Sequence, residues 1–272
     1  MRKISYIQLL NEINSGGTAV VYLGVNTHTG YPVAVKELNS QLFKNPIIKT
    51  MFIKEANRYL ELDHPNIVKL EDFLLLNGED TGYLVMEYIE GRNLREYMKE
   101  ITGPLPIQMA AAFVNVSLDA IGYAHERGCI HMDIKPSNIM LSVDHEIKVI
   151  DFGISLDLNK SEGNEIMGTP YYMSPEQIAG TGIDERTDIY SLGITLYELI
   201  VGKPPFSGAE LSREELLDII KTNPLPKISS NNTYDKPLLG NINAIIQKST
   251  AKHPDNRYQS CEEFQEDLME IM

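Results

Sequence analysis

The chain has 272 residues, of which 43% are hydrophobic, and a formal net charge of −14 at pH 7. A chain of this length can bury a sizeable core and is suited to one large domain or to two lobes. Domains that bind nucleic acid usually concentrate basic charge on one surface, so the acidic balance argues against nucleic acid as the main partner. Any phosphate that the protein binds must therefore be held by a few local groups.

Cysteine content and hydropathy predict a soluble cytoplasmic protein. Cys129 and Cys261 are too few for a disulfide framework and indicate a reducing compartment. The N-terminal "MRKISYIQLLNEI" lacks an apolar run long enough for a signal peptide. The longest apolar run, "IYSLGITLYELIV", contains Glu198 and is too short to span a bilayer. Since the chain ends at "EEFQEDLMEIM", directly after its last predicted helix, we expect regulation by a partner protein, an interface or the lobes themselves.

The first third of the chain is dominated by predicted strands. Residues 4–38 are rich in Val, Ile and Tyr and predict three strands, with "HTG" at 28–30 as a turn. "IIKTMFIKEANRYLEL" has apolar residues at helical spacing and predicts a helix, which "HPN" at 64–66 ends. "IVKLEDFLLL" and "TGYLVMEYI" predict two more strands around the turn "NGED". We expect a sheet of about five strands and one main helix in residues 1–89.

Beyond Gly91 the pattern becomes mainly helical. "IQMAAAFVNVSLDAIGYAHERG" and "ERTDIYSLGITLYELIVG" predict two long helices, and weaker helical patterns lie near residues 211–221, 240–250 and 259–271. The sequence therefore predicts an α+β fold with two lobes. The small lobe is β-rich and covers residues 1–89, and the larger lobe is mainly helical and covers residues 90–272.

Two segments of the small lobe have residues suited to binding phosphate. "INSGGTAVVYLG" places glycines between two strands, where backbone amides can approach phosphate oxygens without an intervening Cβ. Taken alone, this segment is better explained as an ordinary hairpin. "VAVKE" places Lys36 in an apolar strand, where burial is costly without an anionic partner. Glu55 on the following helix is the candidate partner, and a surface lysine on an edge strand is the alternative.

Two segments of the large lobe have the groups that phosphoryl transfer requires. In "DIKPSN", Asp133 can accept a hydroxyl proton, Lys135 can neutralise a transferring phosphate, and Asn138 can offer an amide oxygen to Mg²⁺. In "IKVIDFGIS", an apolar strand leads to Asp151, whose carboxylate can hold the metal that bridges nucleotide phosphates. Asp151 follows Asp133 by 18 residues.

In this order the motifs resemble those of a protein kinase of the eukaryotic-like serine/threonine type, over essentially the whole chain. Further segments extend the match: "VMEYIEG" at 85–91 as the hinge, "GTPYYMSPEQ" at 168–177, "DIYSLGITLYEL" at 188–199 and "HPDNRY" at 253–258. The later segments look most like the bacterial branch of the family. The resemblance implies a bilobal kinase fold, ATP with Mg²⁺ (Mn²⁺ is a second option) as cofactors, and a protein substrate with a serine or threonine acceptor.

The resemblance also implies roles for individual residues. Lys36, held by Glu55, contacts the α- and β-phosphates, while Asn138 and Asp151 hold the metal and Asp133 orients the acceptor hydroxyl. The implied nucleotide contacts are Asn14, Gly16 and Gly17 in the glycine-rich loop, Val21 and Ala34 above the adenine, Met140 below it, Met86 behind it, Glu87 and Ile89 in the hinge, and Asn93 at the ribose.

The resemblance implies further roles outside the nucleotide site. Lys135 and Thr169 favour serine or threonine over tyrosine as the acceptor. Asp188 is implied to cap the backbone of the catalytic loop from inside a buried helix. Glu176 is implied to pair with Arg257.

Departures from the family pattern leave two other functions open. Asn14 and Ala19 stand where the first and third glycines of the family loop fall, and "SPE" replaces the commoner Ala-Pro-Glu. A nucleotide-binding pseudokinase that serves as a scaffold is one alternative, which Mg²⁺-dependent ATP turnover would exclude. A small-molecule kinase of the aminoglycoside type is the other, and the peptide-docking segment "GTPYYMSPEQ" argues against it.

Met132 stands where most relatives have an arginine that binds a phosphate on the activation loop. Methionine cannot bind a phosphate, and the early hydroxyls of the segment, Ser155 and Ser161, lie beside acidic residues that would repel one. We therefore expect activity that does not depend on activation-loop phosphorylation. The alternative is that Lys160, the basic residue of that segment, receives the phosphate.

Overall fold

The computed structural model describes residues 2–16, 19–76, 81–152, 170–208, 211–229 and 236–272, apart from the side chains of residues 41, 42 and 48. The chain divides into two compact units, Met1–Glu90 and Gly91–Met272. The predicted boundary between the lobes lies one residue earlier, between residues 89 and 90. Ser155, Lys160, Ser161, Thr169 and Gly17, to which the sequence assigns roles, lie outside the described residues.

Within its described residues, the first unit is built on a six-stranded antiparallel sheet in the order β1-β2-β3-β4-β6-β5. Its strands are β1 (Lys3–Ile4), β2 (Ile7–Ser15), β3 (Ala19–Asn26), β4 (Pro32–Leu38), β5 (Leu70–Leu75) and β6 (Gly82–Glu87). The prediction of three strands over residues 4–38, and of about five in all, was one strand short. Ser5 adopts a positive φ of 50° and turns the chain, so that Ile4 pairs with Ile7 in a hairpin.

The two faces of this sheet differ in what they bury. Val33 and Val35 of β4 join Ile7 and Leu9 of β2 and Val85 of β6 in a hydrophobic core cluster. Alternation along a strand places the residues between them on the opposite face. This cluster therefore lies on the Val33 and Val35 face, and Ala34 and Lys36 lie on the other.

Helix α2 (Pro46–Leu60) follows a short helix, α1 (Ser40–Phe43), which the sequence did not predict. The side chain of Asn45 accepts a hydrogen bond from the backbone N–H of Ile47 and caps α2, with proline in the first turn. Phe52 is fully buried, and its ring meets those of Phe43 and Phe73 edge to face. These ring contacts fix α2 in the first unit.

The second unit is mainly helical, as predicted. Its helices are α3 (Leu94–Tyr97), which continues as a π-helical turn over Met98–Thr102, then α4 (Ile107–His125), α5 (Pro175–Ala179), α6 (Arg186–Val201), α7 (Arg213–Thr222), α8 (Lys236–Ser249) and α9 (Cys261–Met269). A small antiparallel sheet consists of β7 (Gly91–Asn93), β8 (Ile139–Ser142) and β9 (Ile147–Val149). The 3₁₀ turns in the described part of this unit are Pro136–Asn138, Pro170–Tyr172 and Pro254–Asn256.

Helix α6 forms the centre of the second unit. Every residue from Thr187 to Ile200 is buried, which accounts for its nearly continuous apolar sequence. A Cβ on Gly193 would lie 2.3 Å from the hydroxyl of Ser249, so glycine lets α6 and α8 approach closely. Polar side chains carried by this helix are therefore held inside the core.

Helix α4 is long and apolar enough, by length and composition alone, to cross a membrane. It packs against α6, α9 and β9, and nine of its residues are buried in the second unit. These contacts make α4 a core helix of this unit. The apolar run around Glu198, which the sequence analysis judged too short to span a bilayer, belongs to α6.

The implied pair between Glu176 and Arg257 is confirmed. Two guanidinium nitrogens of Arg257 donate to the two carboxylate oxygens of Glu176 at 2.6 and 2.8 Å, and the hydroxyl of Thr187 donates to the same carboxylate. Burial raises the pKa of Glu176, but the hydrogen bonds and charge of Arg257 outweigh it, so that the net pKa lies below the usual value. The pair joins α5 to the segment before α9.

We predict that Arg257→Met lowers the free energy of unfolding by about 3–5 kcal/mol, because Glu176 would remain buried without its partner. Chemical denaturation monitored by circular dichroism measures this. Arg92→Met is the control, since its partner Glu100 is half exposed, and should cost less than about 1 kcal/mol. Since the pKa of Glu176 is lowered in the folded state, the difference between wild type and Arg257→Met should shrink as the pH falls below about 4. Equal stability of the two variants would contradict this prediction.

Candidate active site

In the first unit, the residues implied to hold a nucleotide share one face of the sheet. Val21 of β3 lies opposite Lys36 of β4, and Ala34 lies opposite Met86 of β6. Side chains at opposed positions of an antiparallel pair project to the same face. Val21, Ala34, Lys36 and Met86 therefore line the face opposite the Val33 and Val35 cluster, and Asn14 of β2 lies opposite Val21.

The remaining predicted residues of this unit border that face. The backbone N–H of Gly16 donates to the carbonyl of Ala19 and closes the described part of the glycine-containing loop. Glu87 ends β6, where its backbone N–H donates to the carbonyl of Lys69 and its carboxylate accepts from the N–H of Lys69. Ile89 follows in the chain. Lys36 and Glu55 are both partly buried, on β4 and α2.

In the second unit, the carboxylate of Asp188 holds the segment that contains Asp133. One oxygen of Asp188 accepts from the backbone N–H of His131 at 2.8 Å, and the other accepts from the N–H of Met132 at 2.8 Å. The imidazole of His125 contacts the same carboxylate at 2.8 Å. Asp188 is fully buried in α6, so the implied role of this residue as a cap is confirmed.

Met132 has a left-handed backbone conformation, with φ of 64°. Such a conformation costs a residue with a side chain about 1–3 kcal/mol. The hydrogen bond to Asp188 offsets this cost on the N–H side, and the amide of Gln177 donates to the carbonyl of Met132 at 2.8 Å on the other side. The backbone of Met132 is therefore held through both its N–H and its carbonyl.

Asp133 is held in turn by two neighbours on its own loop. The ammonium group of Lys135 donates to both carboxylate oxygens of Asp133, at 2.9 and 2.7 Å. The amide of Asn138 donates to the backbone carbonyl of Asp133 at 2.8 Å and to its carboxylate at 3.1 Å. The three residues that the sequence placed in one reactive group thus form a single hydrogen-bonded cluster.

Asn138 and Asp151 have positions that suit the ligands of a divalent cation. The amide nitrogen of Asn138 is engaged with Asp133, which leaves the amide oxygen as the atom suited to a cation. The backbone N–H of Ile150 donates to the carbonyl of Asn138, so Asp151 follows directly after the residue bonded to Asn138. Carboxylate and amide oxygens are the ligands that Mg²⁺ prefers, and these two residues fit it.

The side chain of Phe152 anchors the turn after β9. Phe152 is buried against the ring of His131, with the ring centres 4.8 Å apart. A ring nitrogen of His131 also contacts the carbonyl of Ile150 at 2.9 Å. His131 therefore ties the loop of Asp133 to the segment of Asp151.

Asn93 and Met140 are register partners in β7 and β8, so the positions implied for the ribose and for the lower face of the adenine are neighbours. Asn93 has a second role that the sequence did not predict. Its side chain accepts from the N–H of Glu96, whose carboxylate accepts from the N–H of Asn93, in a capping box that begins α3. The amide nitrogen of Asn93 is the group left for another contact.

Gln177 and His125 also support the catalytic loop, and the sequence analysis did not predict this role for either residue. A local signal existed for Gln177, since Ser174 and Gln177 form a capping box at the start of α5. That pattern predicts the helix start but not the hydrogen bond to Met132, which lies 45 residues away in the chain. For His125, the sequence contains no comparable local signal.

A family profile described as the protein kinase domain matches residues 7–269 of the chain. The chain belongs to the protein kinase family. Among solved structures, the fold is similar to that of a point mutant of the PknI kinase domain from Mycobacterium tuberculosis, with a TM-score of 0.79 and 25% identity, covering 99% of this chain and 97% of that one. The predicted bilobal kinase fold is confirmed.

The relatives of this kinase domain include bacterial enzymes. The chain is 35% identical over 274 residues to the serine/threonine-protein kinase PknB of Mycobacterium leprae, covering 97% of this chain and 42% of the relative. It is 37% identical over 267 residues to the probable serine/threonine-protein kinase CPE1738 of Clostridium perfringens, covering 97% of this chain and 38% of the relative. The chain thus spans about two fifths of the length of these curated relatives.

We predict that Asp188→Asn loosens the catalytic loop of this kinase domain. An amide in place of the carboxylate would direct an N–H group at another N–H donor, which should cost about 1–3 kcal/mol of stability and speed the hydrogen exchange of the His131 and Met132 amides. Exchange measured by mass spectrometry and NMR tests this, with Asp144→Asn in the exposed β8–β9 turn as control. Unchanged protection of both amides in Asp188→Asn would contradict the assigned role.

Proposed function

We propose that this kinase domain transfers the γ-phosphoryl group of ATP to serine or threonine hydroxyls of protein substrates. The observation that carries the proposal is the cluster in which Lys135 and Asn138 hold the carboxylate of Asp133. Phosphoryl transfer depends mainly on positioning and electrostatic stabilisation, so a fixed carboxylate beside a lysine is what the reaction needs. The names of the bacterial relatives support the choice of acceptor.

In this proposal, Asp133 accepts a hydrogen bond from the acceptor hydroxyl and orients its oxygen toward the γ-phosphorus. Lys135 bonds to both oxygens of Asp133 in the structure, and we propose that its ammonium group also neutralises charge on the transferring group. Both groups lie on a loop fixed by Asp188. Little rearrangement of the loop is then needed as the reaction proceeds.

In this proposal, the sheet face of the first unit supplies most of the residues that contact the nucleotide. Val21, Ala34 and Met86 supply an apolar surface for the adenine, and backbone groups of Glu87 and Ile89 hydrogen-bond its edge. Lys36, supported by Glu55, contacts the α- and β-phosphates. The further contacts are Asn14, Gly16 and Gly17 at the phosphates, Asn93 at the ribose and Met140 at the adenine.

A divalent cation, Mg²⁺ or Mn²⁺, would neutralise negative charge on the nucleotide phosphates when bound. Asn138 and Asp151 are the residues that we propose hold it. Asn138 would then have two roles, because its amide nitrogen positions Asp133 and its amide oxygen would be available to hold the cation.

We propose a cytoplasmic location for this domain and a regulatory protein partner. Both cysteines are free thiols, Cys129 partly buried and Cys261 buried, and free thiols suit a reducing compartment. Met132 replaces the arginine expected to bind an activation-loop phosphate, so a partner or the packing of the domain itself would set the active state. Phosphatase treatment that left activity unchanged would support independence from activation-loop phosphorylation.

Incubation with labelled ATP, Mg²⁺ and generic protein substrates, followed by phosphoamino-acid analysis, tests the proposed activity. We predict phosphoserine or phosphothreonine with wild type and a loss of roughly 10² to 10⁴ in rate for Asp133→Asn, the range for a positioned base. Asp144→Asn, in an exposed turn, should retain full activity. If Asp133→Asn were as active as wild type, Asp133 would have no role in orienting the acceptor.

We predict that Asp151→Ala weakens Mg²⁺-dependent nucleotide binding by removing an oxygen ligand, while binding without Mg²⁺ changes little. Isothermal titration with ATP in the presence and absence of Mg²⁺ measures both values, and Asp144→Ala is the matched control. Tight binding that neither Mg²⁺ nor the variant altered would favour a nucleotide-binding scaffold over an active kinase.

A further inference from the structure

A cleft of about 690 Å³ lies within the second unit, beside the catalytic loop. Its walls come from α3 and the π-helical turn that follows, from the C-terminal end of α6, and from the 3₁₀ turn Pro170–Tyr172. Lys135 and Ser137 of the catalytic loop also line it. A peptide with its acceptor hydroxyl at Asp133 therefore has this cleft directly beside it.

The charge of the cleft is opposite in sign to that of the chain. The whole sequence has 24 basic and 38 acidic residues. Among the described residues, the lining of the cleft has four basic residues and one acidic residue, namely Arg95, Lys99, Lys135, Lys203 and Glu198. A local reversal of this kind on an acidic protein is suited to recognising an anionic ligand.

The acidic residue in the described lining, Glu198, has its charge compensated from within the domain. Glu198 is 4% exposed, and its carboxylate accepts a hydrogen bond from the hydroxyl of Tyr172. Arg95 donates to the same hydroxyl and lies 3.7 Å from Glu198. Burial raises the pKa of Glu198 above its usual value, which further reduces its capacity to attract a cation. Glu198 is therefore poorly suited to binding a basic side chain of a substrate.

Lys135 is likewise compensated, by Asp133. Lys99 and Lys203 are exposed and form no salt bridge with any carboxylate of the described part of the chain. Once the paired charges cancel, these two lysines give the cleft its net positive charge. An acidic ligand can therefore gain attraction without breaking an existing ion pair.

The segments that contain the two lysines are held against each other. The backbone N–H of Leu105 donates to the carbonyl of Leu199 at 2.7 Å. Gly202 ends α6 with a positive φ of 83°, and a Cβ at this position would lie 2.7 Å from the ring of Pro104. This close contact fixes the chain after the π-helical turn to the end of α6, next to Lys203. The positions of both backbones are thus defined before any ligand binds.

We propose that this cleft is a substrate-docking site in which Lys99 and Lys203 bind aspartate or glutamate side chains that flank the acceptor serine or threonine. The inference rests on the proposed kinase function and specifies its substrate class as acidic peptides. Exposed ion pairs are individually weak, so two of them should change the preference for a peptide by about tenfold. The preference should weaken as salt concentration rises, because exposed charges are screened.

The test compares threonine peptides that have glutamate, alanine or arginine at positions two to four before or after the acceptor. Fluorescence anisotropy measures the binding of each labelled peptide, and initial rates with ATP and Mg²⁺ give kcat and KM. Wild type should bind and phosphorylate a glutamate peptide about tenfold better than its arginine counterpart, with the difference in KM rather than kcat. Whether glutamate improves binding before or after the acceptor shows in which direction the peptide lies in the cleft.

The double variant Lys99→Glu and Lys203→Glu should invert this order, so that the arginine peptide binds better than the glutamate peptide. The double variant Lys227→Glu and Lys236→Glu is the matched control, since it changes net charge equally at exposed lysines of the same unit that do not line the cleft. The control should retain the preference for glutamate.

The outcomes separate this inference from the proposed function. The docking site would be overturned, and the kinase function left intact, if wild type phosphorylated all peptides without preferring glutamate. The same conclusion would follow if the control variant abolished the glutamate preference as much as the cleft variant did. Absence of transfer to every peptide would overturn the proposed function, and the anisotropy measurement would still decide the docking site. Equal binding of the glutamate and arginine peptides by wild type would then overturn the site.

Discussion

The active-site loop of this kinase domain depends on one buried carboxylate, that of Asp188. Its two oxygens accept hydrogen bonds from the backbone N–H groups of His131 and Met132, and His125 contacts it from α4. A buried charge is costly unless its hydrogen-bonding capacity is used, and here three neighbouring groups use it. Because Asp188 belongs to α6, whose residues are buried from Thr187 to Ile200, the geometry of the loop is tied to the core of the unit.

The anchor at Asp188 constrains both the loop that contains Asp133 and the segment that contains Asp151. Met132 keeps its strained left-handed conformation because its N–H and carbonyl are both bonded, and Asp133 follows it directly. His131 packs on Phe152 and contacts the carbonyl of Ile150, so the same loop holds the residues on either side of Asp151. A single anchor in α6 thereby positions a carboxylate suited to orienting a hydroxyl and one suited to holding a metal.

The segment Pro170–Gln177 is a second structure fixed by buried polar contacts. Tyr172 bonds to Glu198, the hydroxyl of Ser191 donates to the carbonyl of Tyr172, Glu176 pairs with Arg257, and Gln177 bonds to Met132. Two of these contacts, those of Glu198 and Ser191, involve residues of α6. The segment lines the basic cleft as well as supporting the catalytic loop, so substrate docking and catalysis would share one rigid support. An acidic chain can maintain a basic cleft in this way because the buried carboxylates around it are already paired.

The sequence by itself determined the fold class, most elements and the grouping of Asp133, Lys135 and Asn138, because these depend on local patterns. Helical and strand periodicities and the spacing of Asp133, Lys135 and Asn138 are short-range features, and the cluster of these three residues forms within one loop. The tertiary structure decided the contacts between distant residues, such as Gln177 with Met132 and Arg95 with Glu198. No local pattern predicts these contacts, because they depend on how helices pack rather than on neighbours in the chain. The extra hairpin at Ser5 and the net positive charge of the cleft likewise emerged only once backbone conformation and side-chain pairing were defined.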